Sequence, residues 1–159
     1  MKQHFTIPSQ LSHLELDERG YPIPYFVGKV DGKYNFRYQD RKKRDACIQF
    51  RWCPICAKRL DKDFSYVITG PHGLKNKVVS DAPMHLLCAE FSMQACPHIH
   101  FEKAERKAEE RVAYIAQDKP PSLYLIKIDT WKLTQQVIRF NPVSAEEYVY
   151  ENNVLVKMK

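Results

Sequence analysis

Long apolar runs are missing from this sequence: no stretch of 18 or more hydrophobic residues exists to cross a bilayer as a helix. The opening Met1-Lys2-Gln3-His4-Phe5 leads into no apolar segment of the secretory type, which sets the expectation of a cytoplasmic protein in a reducing compartment. Glycine is scarce, five in 159 residues, and Gly70-Pro71-His72-Gly73 lacks the Gly-Lys-Ser/Thr ending of a phosphate loop. Ser65, Ser80 and Ser92 sit in no nucleophile elbow and beside no recognisable base. An acidic excess is also lacking, which argues against a protein that imitates DNA.

What is present is the mixture of a globular chain, 44% hydrophobic and 28% charged, of a length that suits one domain over 1–159. The formal net charge is +6, and it is unevenly placed. Between Lys29 and Lys62 eleven basic residues face four acidic ones, so the local excess is +7 and this segment accounts for the whole imbalance. Such a focus attracts phosphate backbones or acidic protein surfaces. Arg37, Arg41, Lys42, Lys43, Arg44, Arg51, Lys58 and Arg59 are its candidate contacts, with Arg41 to Arg44 the densest cluster. A solvated, solubilising face is the plainer reading of the same residues.

Turn chemistry and periodicity predict an α+β fold. Asp31-Gly32 punctuates a hairpin over 25–38, with Tyr34, Phe36 and Tyr38 alternating onto one buried or binding face. Residues 41–51 read as a short basic helix or a loop, and Phe64–Ile68 as a strand ended by Gly70-Pro71. Ser80 or Asp81 is expected to cap a helix that carries Pro83 in its first turn and stops at Pro97. A second, highly charged helix is expected from Phe101 to about Gln117. Beyond Pro120-Pro121, residues 121–159 form a strand-rich subregion, with strands at Leu123–Ile128, Val137–Phe140, Tyr148–Tyr150 and Val154–Val156.

Five cysteines, an odd number, do not make a secreted disulfide framework. Cys53 and Cys56 form a Cys-x-x-Cys turn, the usual first half of a structural zinc site, although a redox dithiol shares that spacing. The second half is His85-x-x-Cys88, whose residues three apart share one side of a helix. Two knuckle ligands followed by two from a helix start give a treble-clef-like module over 50–97. One imidazole and three thiolates suit tetrahedral, structural zinc. Cys96 is the alternative fourth ligand. On an unbroken helix it lies about 12 Å along the axis from Cys88, too far for one ion with bonds of about 2.3 Å. Only a helix break at Pro97 would bring it in place of His85. Cys47 is read as a bystander, and His98 with His100 as a weak half-site without cysteine or carboxylate company.

Several separated segments together resemble an uncharacterised family of small bacterial and phage- or plasmid-borne proteins. They are Asp17-Glu18-Arg19-Gly20-Tyr21-Pro22-Ile23-Pro24-Tyr25-Phe26-Val27, Trp52-Cys53-Pro54-Ile55-Cys56, Gly70-Pro71, Ala82-Pro83-Met84-His85-Leu86-Leu87-Cys88-Ala89 and Ala95-Cys96-Pro97. The resemblance spans roughly residues 17–130. It implies a zinc module in which the counterparts of Cys53, Cys56, His85, Cys88 and Cys96 all recur, and it implies no enzymatic activity. His72-Gly73-Leu74-Lys75-Asn76-Lys77 departs from the family's arginine-rich or cysteine-containing stretch.

A treble-clef nuclease would need histidines on a hydrolytic metal and a general base, yet His72 is the only histidine between the knuckle and His85. Four protein ligands also leave zinc no open position for water. The expectation is therefore a non-catalytic, zinc-stabilised binding protein contacting nucleic acid through its basic 29–62 segment. Tyr34, Phe36, Tyr38 and Trp52 are available for stacking if exposed. Two alternatives stand beside it: a protein-interaction module or inhibitor of a host nucleic-acid or defence machine encoded on a mobile element, and a treble-clef nuclease-like hydrolase.

Overall fold

The computed structural model describes residues 5–96, 99 and 121–159. The expected helix from Phe101 to Gln117 and the His98/His100 half-site lie outside the described residues. Strands β1 (Val27–Val30) and β2 (Lys33–Gln39) form the predicted N-terminal hairpin. Asp31 and Gly32 both take positive φ, 52° and 80°, the pair a two-residue type I′ turn requires. The aromatic alternation does not produce one buried face. The ladder breaks between Val27, which pairs with Gln39, and Gly28, which pairs with Asn35. Phe36 is left half-buried, while Tyr38 is exposed and lays its ring over Gly28, where any Cβ would collide with it.

Helix α1 (Arg41–Phe50) resolves the helix-or-loop question at 41–51. Asp40 caps it, its carboxylate accepting from the backbone N–H groups of Lys42 and Lys43 at 3.0 and 3.2 Å. Arg51 ends it in the left-handed conformation. Strand β3 (Ser65–Thr69), the short helix α2 (Pro71–Asn76) and strand β4 (Val78–Val79) lead to helix α3 (Leu86–Ala95).

Helix α3 begins later than a cap at Ser80 or Asp81 predicts, its N-cap being His85. Met84 is held in an extended bridge to Tyr66 of β3, each backbone N–H reaching the other's carbonyl at 2.9 Å. Asp81 meanwhile accepts a hydrogen bond from Gln39 at 2.8 Å instead of capping a helix. Propensity yields to tertiary pairing, and His85 becomes the residue at the helix N-cap.

The C-terminal strands are β5 (Ser122–Thr134), β6 (Val137–Glu151) and β7 (Val154–Lys157). With β3 and β4 they build an antiparallel sheet in the order β3-β5-β6-β4, β7 also pairing with β6. The two segments expected at 137–140 and 148–150 are one long strand. Pro142 interrupts their pattern but fits opposite Ile128, where the ladder shifts register and a missing N–H is tolerated. Gln135-Gln136 and Asn152-Asn153 close the two ribbons with paired positive φ, without glycine. The core lies between this sheet and α3, and includes Leu11, Val67, Phe91, Ile126, Ile128 and Ile138 together with Cys53, Cys56 and Cys88.

Candidate metal centre and basic surface

The knuckle is a backbone construction before it is a ligand set. Trp52 and Arg59 form an antiparallel bridge, the Cys53 N–H reaches Lys58 O at 2.8 Å, and the Leu60 N–H reaches Arg51 O at 2.8 Å. Ala57 completes the tight turn at φ 64°, a conformation that favours glycine. The N–H groups of Tyr25 and Phe26 bond to the carbonyls of Ile55 and Pro54, each at 3.0 Å, tying the knuckle to the hairpin. His13 Nε2 donates to Cys56 O at 2.9 Å from the N-terminal segment.

Across from it, the Tyr66–Met84 bridge delivers His85 and the first turn of α3. The ligand atoms of Cys53, Cys56, His85 and Cys88 then lie within 4.8 Å of one another. His85 Nδ1 is 3.3 Å from Cys56 Sγ and 4.0 Å from Cys88 Sγ. Tetrahedral zinc with ordinary Zn–S and Zn–N bonds separates such atoms by about 3.6 Å, between those two values. His85 Nε2 donates to Arg59 O at 2.8 Å, so Nδ1 carries the lone pair that faces the thiols. The donor set, its spacing and its outer hydrogen bond all fit a structural zinc ion.

Electrostatics point the same way. Burial resists ionisation of Cys53, but hydrogen bonds from Cys56 and Cys88, with backbone bonds from Cys56 and His85, outweigh it and hold Cys53 far down, at about 3. Cys88 is pushed upward by its hydrogen bonds to Cys53 and Cys56 and by burial. Three thiolates this close repel one another, and a divalent cation at their centre removes the conflict. Burial, with the neighbouring Cys53 and Cys56, pushes Cys47 up to about 12, the behaviour of a buried protonated thiol.

Cys96 stands at the far end of α3, outside this cluster, lining a small cavity with Leu11 and Ala95. Cys96→Ser should therefore keep stoichiometric zinc, whereas His85→Ala should weaken its retention against a chelator by orders of magnitude. Elemental analysis after graded chelator challenge reads both, and zinc lost from Cys96→Ser but held by His85→Ala would reverse the assignment.

The candidate basic contacts separate in space. Arg41, Lys42, Lys58 and Arg59 are exposed on α1 and the knuckle, with Lys43 half-buried beside them. Lys43 Nζ stands 5.3 Å from the centre of the Tyr25 ring, and Tyr25 meets Trp52 edge-on at 6.5 Å. The Arg51 guanidinium lies 4.1 Å over the Trp131 ring. Arg37 lines a separate groove beside the hairpin.

Arg44 is a correction to the expected surface cluster. Only 4% exposed, it lies on the inner side of α1, where Nε donates to Ser80 O at 2.7 Å and an Nη donates to Gln136 O at 2.8 Å. Its charge also faces Asp81, whose carboxyl is raised by burial and pulled back by Gln39 and Arg44. Its buried side chain ties α1 to Ser80 and to the turn between β5 and β6 instead of standing on the exposed surface.

No family model, curated protein or solved structure matches the chain. Of the family resemblance, the part this structure supports is the zinc-binding-like cluster of Cys53, Cys56, His85 and Cys88.

Proposed function

We propose that the protein is a non-catalytic, zinc-stabilised binder of nucleic acid whose metal knuckle and helix α1 together present the phosphate-contacting surface. One observation carries the reading. Lys43 of α1 and Arg59 of the knuckle are brought beside one aromatic centre: Lys43 covers Tyr25, Tyr25 packs on Trp52, and the Arg59 backbone pairs with that of Trp52. Arg41, Lys42 and Lys58 are exposed on the same two elements, Lys42 flanking Lys43 on α1, and flexible exposed cations suit a phosphate backbone. The ligand set contributes a second argument: zinc closed by four protein ligands holds structure and offers no position for water.

Replacing Arg41, Lys42, Lys58 and Arg59 with glutamine should weaken binding to unrelated nucleic-acid sequences by similar factors. The salt slope should flatten by about 0.7–0.9 per phosphate contact removed. Folding should survive, because such exposed substitutions change stability by about 0.5 kcal/mol or less each. Unchanged affinity and slope in the folded variant would defeat the assignment.

A protein partner is the second reading, favoured by a groove of about 580 Å³ between the 15–19 segment and the hairpin. Exposed Leu16 and Val30 line it beside Phe36. Binding there should depend little on salt, which separates the two readings in one titration.

A further inference from the structure

The geometry points to Phe50 as a stacking platform for an unpaired base, making single-stranded nucleic acid the ligand class of this surface. The inference rests on the nucleic-acid reading above and deepens it. Phe50 is the last residue of α1 and is 50% exposed. Its ring stacks on Trp52 with centroids 5.0 Å apart and planes at 29°. Trp52 in turn meets Tyr25, which Lys43 covers. The result is three rings in contact, Tyr25 edge-on to Trp52 and Phe50 stacked on it, with a cation at the Tyr25 end and half-exposed Phe50 at the other.

Helical geometry puts these rings beside the charges. Lys43 and Phe50 are seven residues apart, about 20° from alignment, so both lie along one side of α1 with Lys42 on its flank. The knuckle brings Arg59 to the Trp52 backbone from the other side. An isolated exposed phenylalanine would need no explanation. This one continues a stack that a planar base can lengthen, with cations on either side at hand for the flanking phosphates.

The other aromatic candidates are placed differently. Tyr34 has Lys29 Nζ 4.8 Å from its ring centre, and Phe36 has the Arg19 guanidinium at 5.5 Å. Tyr38 packs against Gly28. Bases within a duplex keep their faces stacked on each other, so the open face of Phe50 selects strands whose bases are free.

The test compares a short single-stranded oligonucleotide of mixed sequence with its duplex, at low salt, on the zinc-loaded full chain. Wild type should prefer the single strand by about tenfold or more and should show quenched tryptophan fluorescence on binding it. Phe50→Leu keeps an apolar side chain but has no ring, and should lose single-strand affinity by about 5- to 150-fold with the salt slope and duplex affinity unchanged. Phe50→Trp should restore it. Equal single-strand affinities for wild type, Phe50→Leu and Phe50→Trp would overturn the platform while leaving the phosphate surface intact. Failure of the wild type to bind either form would overturn the nucleic-acid reading and the platform with it.

Discussion

Cys53→Ser and Cys88→Ser should each lose zinc and fold in the same step. Both thiols are fully buried, in the core shared by α3 and the sheet. Apparent binding free energies of structural zinc in finger peptides run to about 10–16 kcal/mol at neutral pH, and binding free energy at such a site is folding free energy. Whole domains are stable by only about 5–15 kcal/mol, so a site reduced to three ligands leaves little to hold the chain. Backbone bonds tie the knuckle to the segment entering the hairpin and to α1, and on the α3 side the His85 imidazole reaches Arg59 O. Circular dichroism with elemental analysis should show an unfolded, zinc-free chain for both variants. Cys47→Ser should stay folded and metal-loaded, since Cys47 lies outside the ligand cluster.

Arg44→Met should destabilise the protein by about 2–4 kcal/mol without changing its metal content. The carbonyls of Ser80 and Gln136 lose the buried donor that ties them to α1, and Asp81 loses the charge facing it. For a chain of this size that lowers the melting temperature by about 5–15 °C. Arg44→Lys should rescue little, because one ammonium cannot reproduce a guanidinium fork directed at two acceptors. Lys42→Met, on the exposed side of the same helix, should change stability by about 0.5 kcal/mol or less. Equal melting temperatures for Arg44→Met and Lys42→Met would contradict this role for Arg44.

Arg44 also marks where sequence reasoning reached its limit. In the sequence it is one of four consecutive basic residues, and only the helical turn of α1 sends it inward while Arg41 and Lys42 remain outside. The Asp31-Gly32 hairpin and the two ligand pairs were legible because their signals are local: paired positive φ in one case, thiol and imidazole spacing in the other. Strand β6 looks like two strands in the sequence because Pro142 is a local breaker, and its tolerance depends on a register shift opposite Ile128. The start of α3 is not legible locally, because Ser80, Asp81 and Pro83 carry strong capping signals that the Tyr66–Met84 bridge overrides. Phe50 gave no signal as a site, since its exposure and its stack on Trp52 exist only once α1 ends in the left-handed turn at Arg51.

Zinc K-edge X-ray absorption on the folded chain, purified without chelator, tests the central claim most directly. About one zinc per chain should be present, with three sulfur neighbours at about 2.3 Å and one nitrogen at about 2.0–2.1 Å. A four-sulfur shell would replace His85 with Cys47 or Cys96, and a well-folded chain without stoichiometric metal would contradict the account altogether.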